Sequence, residues 1–343
     1  MSNQNFVTKL GFNRKGYDQI VPSQKPSLVL TGESLDLVEK IQAIKKKLPN
    51  LEIISIGSAR NSISKINVLI QESSNQEFEN IIAFGGGSII DIAKRFFLNL
   101  NKLNKNLKLI VIPTLIGSGA ESSMTSIINT KNKKIIISDY NQLPHSVIYD
   151  TEILKSIDAK EIIFGTIDAL THCFESTTSF LTNPYLHFLS NQTIDYFFKN
   201  INYEKLIEGH IDENDVSKFC IISFNGGLAQ NNAGAGLCHA LSHAAESMTF
   251  FKHNRCINYF LEGTLEFIEK NNEGFIKANG LLHINELKKI ARLSKENIEN
   301  KNVLDELIKN DTSAVELMLR AKQDPCWRLF NLKGIKDNIL KTF

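Results

Sequence analysis

The first 150 residues alternate short apolar runs with stretches of helical periodicity, and that alternation constrains the fold more than any other feature. "SLVLTGES" (Ser27 to Ser34), "LEIISIGS" (Leu51 to Ser58), "NIIAFGGGS" (Asn80 to Ser88) and "LKLIVIPT" (Leu107 to Thr114) are apolar and end on small or polar residues. Helical stretches such as "SLDLVEKIQAIKKKL" lie between them. Strand, helix and strand in repetition describe a parallel sheet covered on both faces by helices. "IIIS" and "SVIYD" read as later strands of the same region. After about Thr151 the character changes. Segments such as "YLHFLSNQTIDYFFKNI" and "VSKFCIISFNGGLAQ" keep a helical period with little β-branched alternation. The expected architecture is α/β plus all-α: a parallel-sheet domain over residues 1–150, then a helical domain over 151–343. The polar stretch "SKENIENKNVLDELIKND" (Ser294 to Asp311) reads as an exposed helix pair with a turn.

Composition removes several classes of function. A formal net charge of +2 gives no electrostatic basis for binding nucleic acid or an acidic membrane surface. The "KKK" run (Lys45 to Lys47) reads as the solvated face of a helix. Five cysteines, at 173, 220, 238, 256 and 326, are widely spaced and include no C-x-x-C pair. They suit a reducing compartment and buried apolar positions, not a disulfide framework. Met1 to Lys15 is polar, without the apolar core of a signal segment, and no long apolar run follows, so the expected location is cytoplasmic.

Two constellations carry chemistry. In "IIAFGGGSIIDIAKRFF" a strand gives way to a helix through three glycines. Such a turn lets backbone approach a bulky phosphate, and the helix N–H groups attract its charge. Gly85, Gly86, Gly87 and Ser88 are therefore candidates to cradle a pyrophosphate, although Ser88 and Asp91 also stand at capping-box spacing. In "GTIDALTHCFES", Asp168 and His172 stand at i, i+4, and His239 and His243 repeat that spacing in "GLCHALSHAAESMTFFKH". Each pair puts two ligand atoms on one helical face, and a mixed N/O set suits Fe(II) or Zn(II). His253 lies fourteen residues after His239, about 21 Å along a straight helix. It joins the same metal only if that helix ends and the chain turns back.

These segments together resemble the iron-containing (group III) alcohol dehydrogenase family. "GGGSIIDIAK" matches that family's glycine turn, and "IPTLIGSGAESS" its second cofactor loop. "DALTHCFES" and "GLAQNNAGAGLCHALSHAAE" resemble its two metal-bearing helices, in the family's order. The resemblance implies a Rossmann-like N-terminal dinucleotide-binding domain and a C-terminal helical metal- and substrate-binding domain, with the active site in the cleft between them. It implies a metal, Fe2+ or Zn2+, on Asp168, His172, His239 and His253, with His243 lining the substrate side as a proton relay. Cofactor contacts are implied at Gly86, Gly87 and Ser88 for the pyrophosphate, Thr114 and Ser118 in the second loop, and Lys134 before "IIIS". Further cofactor contacts are implied at Asp91, within the glycine-turn motif, and at Leu115, which takes the place of a second threonine after "IPT". Gly32 stands where relatives often carry an acid that reads the ribose, so NADP(H) is expected to fit as well as NAD(H).

The implied activity is hydride transfer between a nicotinamide and a small aldehyde or alcohol, phosphonoacetaldehyde or a hydroxy acid being examples. The alternatives are a cyclase resembling dehydroquinate synthase, which also binds NAD and a divalent metal, and a non-catalytic relative. Arg328 in "DPCWRLFN" is a candidate anion anchor or a partner in a salt bridge. A homodimer or larger homo-oligomer is the implied assembly.

Overall fold

The computed structural model describes residues 9–13, 20, 25–32, 41–42, 44–46, 50–56, 63–73, 76–102, 106–129, 134–211, 213–271, 283–330 and 336–343. The chain divides into two compact units, Met1–Ile157 and Asp158–Phe343.

The first unit is built on eight strands among the described residues. They are β1 (Lys9–Asn13), β2 (Ser27–Thr31), β3 (Leu51–Ser55), β4 (Asn80–Gly85), β5 (Lys108–Pro113), β6 (Thr125–Asn129), β7 (Lys134–Ser138) and β8 (Ser146–Asp150). Six of them form one sheet in the order β1-β8-β5-β4-β2-β3, and every pairing in it is parallel. β2 and β4 are buried along their whole length, which is why they read as near-continuous apolar runs; in the edge strand β3 only Leu51 is fully buried. Helices α1 (Ile63–Ser73), α2 (Gly87–Leu100) and α3 (Thr151–Leu154) belong to the same unit. Ile41 and Ile44 bury one helical side against Val29, Ile82 and Ile112, while Lys45 and Lys46 are exposed. Lys47 lies outside the described residues.

Two features of the strand set go beyond what the sequence showed. "IIIS" is a strand of the first unit, as expected, but β7 pairs antiparallel with β6 in a hairpin separate from the main sheet. The polar N-terminal segment supplies a strand, β1, which closes the sheet edge against β8. Its five residues, KLGFN, hold only two apolar positions and no β-branched residue, too weak a signal to announce a strand, and the pairing partner lies far along the chain.

The second unit is helical: α4 (Ala159–Thr178), α5 (Pro184–Asn200), α6 (Tyr203–Ile207), α7 (Val216–Ala233), α8 (Leu237–Met248), α9 (His253–Asn271), α10 (Ile284–Glu296), α11 (Asn302–Lys309), α12 (Asp311–Gln323) and α13 (Pro325–Leu329). Asp158 caps α4, its carboxylate accepting the Lys160 N–H at 2.8 Å. From Ile162 to Thr178 every residue of α4 is buried. A helix buried on every side must be surrounded by others, and α5, α7 and α9 pack on it. α7 comes closest, at Gly226, where a Cβ would stand 2.7 Å from the carbonyl oxygen of Ala169. No helix among the described residues is long and apolar enough to cross a membrane.

Candidate metal centre and dinucleotide-binding turn

Asp168 and His172 project from one face of the buried helix α4. His239 comes from the first turn of α8 and His253 is the first residue of α9. The helix does end between the last two. α8 stops at Met248, Thr249 turns to extended backbone, and its hydroxyl both donates to Ala245 O at 2.8 Å and accepts the Phe251 N–H at 3.3 Å. That hydroxyl secures the reversal which brings His253 back.

The result is a tight cluster. Single ligand atoms of Asp168, His239 and His253 lie within 4.8 Å of one another. Asp168 Oδ1 is 3.4 Å from His239 Nε2 and 3.7 Å from His172 Nε2. The His172 and His239 rings stack at 4.5 Å, and those of His239 and His253 lie 5.4 Å apart. Asp168 Oδ1, both ring nitrogens of His172 and Nε2 of His239 are buried without a hydrogen-bond partner. A stranded buried polar atom costs about 1–3 kcal/mol, and three of these, Asp168 Oδ1, His172 Nε2 and His239 Nε2, lie close together, an arrangement that a cation relieves. Three imidazoles and one carboxylate form a donor set that fits Fe2+ or Zn2+.

The electrostatics of the cluster are those of a cation site. Burial alone would raise the Asp168 carboxyl, but His172 and the other histidines around it hold it down at about 2. Burial drives the His172 imidazolium down to about 3, against the pull of Asp168. For His239, burial is outweighed by Glu175 and Asp168 together, and the ring rises to about 10.

Glu175 and Asp324 were not singled out in the sequence, and both hold site histidines. Glu175 is buried on α4, seven residues beyond Asp168 and on the same face. One of its oxygens accepts the Gly236 N–H at 2.7 Å and lies 2.6 Å from His239 Nδ1; the other accepts the Cys238 N–H at 2.5 Å. Its charge therefore sits at the N-terminus of α8, where the helix dipole favours it. It also orients the His239 ring so that Nε2 faces Asp168, the supporting role that carboxylates play behind metal-binding histidines. Asp324, the N-cap of α13, places Oδ2 2.9 Å from His243 Nδ1. His243 stacks on His253 at 4.9 Å, and burial lowers its pKa from the ordinary value. Arg328 is exposed on α13. All five cysteines are buried and unpaired with one another.

The dinucleotide candidates belong to the first unit. β2 leads to β3 on one side and β4 lies on the other, so the chain reverses its direction across the sheet between β2 and β4. Such a switch point is where open α/β sheets bind ligands, beyond the carboxyl ends of the strands. Gly32 follows β2 there, and a Cβ on it would meet nothing within 4 Å. Gly86 and Gly87 follow β4, Ser88 is exposed in the first turn of α2, and the Thr114 N–H donates to Gly85 O at 3.1 Å. The second loop presses on the turn: added Cβ atoms would stand 2.9 Å from Leu115 Cδ1 at Gly86 and 3.0 Å from Ser118 Oγ at Gly87. Leu115 is 47% exposed. Lys134 begins β7, and its side chain lies outside the described residues.

Asp91 does not complete a capping box. Gly86 is the N-cap and carries no side-chain bond, which places Asp91 in the second turn of α2, too far along to cap it. Asp91 instead accepts from the Ile127 backbone and faces Lys94. Burial pushes the Asp91 carboxyl up and the Lys94 ammonium down, and each restrains the other. Lys94 is fully buried and donates to Ser123 Oγ at 3.1 Å and Thr125 O at 2.9 Å, fastening α2 to the end of the second loop.

Comparison with known proteins shows the family and its fold. Residues 15–151 match the model of iron-containing alcohol dehydrogenases, and residues 162–310 match that of the Fe-containing alcohol dehydrogenase family, C-terminal. A 4-hydroxybutyrate dehydrogenase of Clostridium kluyveri is 32% identical over 239 residues, covering 64% of this chain and 63% of its own length. Alcohol dehydrogenase 4 of Saccharomyces cerevisiae is 26% identical, covering 68% of this chain and 65% of its own. The matches thus span less than two thirds of these relatives. Among solved structures, an iron-containing alcohol dehydrogenase from Thermococcus thioreducens superposes with a TM-score of 0.81 at 21% identity, over 98% of both chains. Sulfoacetaldehyde reductase from Bifidobacterium kashiwanohense, solved with NAD+, gives a TM-score of 0.77 at 17% identity, over 100% of this chain and 97% of its own. The two units carry the fold these enzymes share, and the chain belongs to the iron-containing alcohol dehydrogenase family.

Proposed function

We propose that the protein is a metal-dependent alcohol dehydrogenase or aldehyde reductase that moves hydride between NAD(H) or NADP(H) and a small aldehyde or alcohol. One observation carries the reading: buried, unpartnered atoms of three residues, Asp168 Oδ1, His172 Nε2 and His239 Nε2, lie together with His253 beside them. Asp168, His172, His239 and His253 hold the cation, and Gly86, Gly87, Ser88, Thr114 and Ser118 receive the dinucleotide. When bound, the cation supplies a Lewis acid for the substrate oxygen and the nicotinamide supplies or takes the hydride.

The remaining work falls to this chain's own side chains. Asp324 accepts the Nδ1 proton of His243, which leaves Nε2 to take the hydroxyl proton in alcohol oxidation and return it in reduction. Glu175 keeps the His239 ring fixed, so the site does not reorganise as charge develops. The absence of a carboxylate at Gly32 supports use of NADP(H) as well as NAD(H).

The similarity to a 4-hydroxybutyrate dehydrogenase supports an ω-hydroxy acid or its semialdehyde as substrate, with phosphonoacetaldehyde an alternative of the same anionic class. The test is anaerobic: the protein is reloaded with Fe(II) or Zn(II), and oxidation of NADH and NADPH is followed with a panel including succinic semialdehyde and phosphonoacetaldehyde. Metal-dependent net oxidation, lost in Asp168→Ala, is the expected result. Tight metal binding without net NAD(P)H consumption would contradict it and favour cyclase-type chemistry.

A further inference from the structure

We propose that His243, Asp324 and Cys326 form a second cation site, for a thiophilic divalent ion of the zinc class, beside the Asp168 cluster. One ring nitrogen of His243, one carboxylate oxygen of Asp324 and Cys326 Sγ lie within 4.8 Å of one another. They come from α8 and the start of α13, and Asp324 already organises both partners. Its Oδ2 is 2.9 Å from His243 Nδ1, and its Oδ1 accepts the Cys326 N–H at 2.8 Å. The side chains of His243 and Asp324 are 15% and 14% exposed, so an ion enters on their side and meets the buried sulfur as the floor.

The donor set selects the ion. A thiolate with one imidazole and one carboxylate is softer than the three imidazoles and carboxylate next door, and it favours Zn2+ or Cd2+ over Fe2+, Mn2+ or Mg2+. Three protein ligands leave a fourth position to water. Charge also permits two cations side by side. Asp168 and Glu175 bring two negative charges to the first site. Asp324 and a Cys326 thiolate bring two to the second, so each centre is formally neutral and mutual repulsion is small. On binding, the thiol proton leaves to solvent and the His243 proton moves from Nδ1 to Nε2, while the cation takes the place between nitrogen, oxygen and sulfur. The net exchange is one cation in and one proton out.

Binding does not depend on the proposed activity, but its consequence does. A cation held by His243 and Asp324 occupies the proposed proton relay, so zinc in excess of the first equivalent inhibits. The test starts from wild-type protein carrying one equivalent of Fe(II), kept anaerobic and titrated with Cd2+ while sulfur-to-metal charge-transfer absorption is followed in the ultraviolet. One further equivalent, with that absorption, is expected. Cys326→Ser should lose both, and Asp324→Asn should weaken the second site by about tenfold or more. Asp168→Ala, which damages only the first site, should keep the band. No sulfur band in wild type, a band that survives Cys326→Ser, or unchanged affinity in Asp324→Asn would overturn the proposal, the last even if the serine variant fails to fold. Cadmium binding as described without inhibition would leave the site standing and refute the His243 relay.

Discussion

Replacing Glu175 with glutamine tests whether the carboxylate behind His239 supports the metal centre. The two oxygens have unequal duties. One takes both Gly236 N–H at 2.7 Å and His239 Nδ1 at 2.6 Å; the other takes Cys238 N–H at 2.5 Å. The amide keeps the shared acceptor only by turning its NH2 onto the Cys238 N–H, donor against donor. Leaving one buried donor unsatisfied costs about 1–3 kcal/mol. Losing the negative charge also weakens the hold on the His239 ring, and variants of such supporting groups typically lose about 10–100-fold in metal affinity, or about 1.4–2.8 kcal/mol. Denaturant unfolding of the metal-free variant reads the first quantity, and competition with a chromophoric chelator reads the second. A Glu175→Gln protein with metal affinity within about threefold of wild type would refute the reasoning, because no variant that frees the ring should bind equally well.

Three further predictions rest on other contacts. Gly226→Ala should destabilise the helical unit by about 1–3 kcal/mol in calorimetric or denaturant melts, since its Cβ would meet the Ala169 backbone at 2.7 Å. Arg255 grips Glu161 with two hydrogen bonds of 2.7 and 2.8 Å, and these bonds hold the Glu161 carboxyl below its ordinary 4.5. The group then contributes stability above pH 4.5 that is lost as pH falls through its lower native value, and stability-versus-pH curves of Glu161→Gln should lack that component. Gly87→Ala should displace the Ser118 hydroxyl, 3.0 Å from the added carbon, and weaken NADH binding in a fluorescence titration while the thermal midpoint stays near wild type.

What the sequence disclosed, and what it withheld, follows from range. The parallel sheet was legible because β2, β4 and β5 are buried on both faces and therefore written as unbroken apolar runs. Asp168 and His172 shared a visible helical face because i, i+4 is a local relation. Glu175 belongs to that same face, at i+7 from Asp168, and the spacing was available. Yet a glutamate late in a helix looks the same whether it meets water or the N-terminus of another helix; its donors, Gly236, Cys238 and His239, lie more than sixty residues on. Asp324 is 81 residues from His243, and its local sequence signals only a helix cap, which it also provides. The misreading of Asp91 as a cap arose because the S-x-x-D spacing does not say where the helix begins. With Gly86 as N-cap, the carboxylate falls one turn too late and turns inward to Lys94. The chain reversal at Thr249 carries no glycine or proline to announce it; it rests on one threonine hydroxyl that substitutes for the interrupted backbone ladder.

The central claim is that Asp168, His172, His239 and His253 together hold one divalent cation. The most direct measurement is anomalous diffraction at the iron or zinc edge from crystals loaded with one equivalent of metal. The account predicts a single peak with nitrogen and oxygen ligands at about 2.0–2.2 Å from these four side chains. No peak among them, or a first equivalent seated elsewhere in the chain, would contradict it.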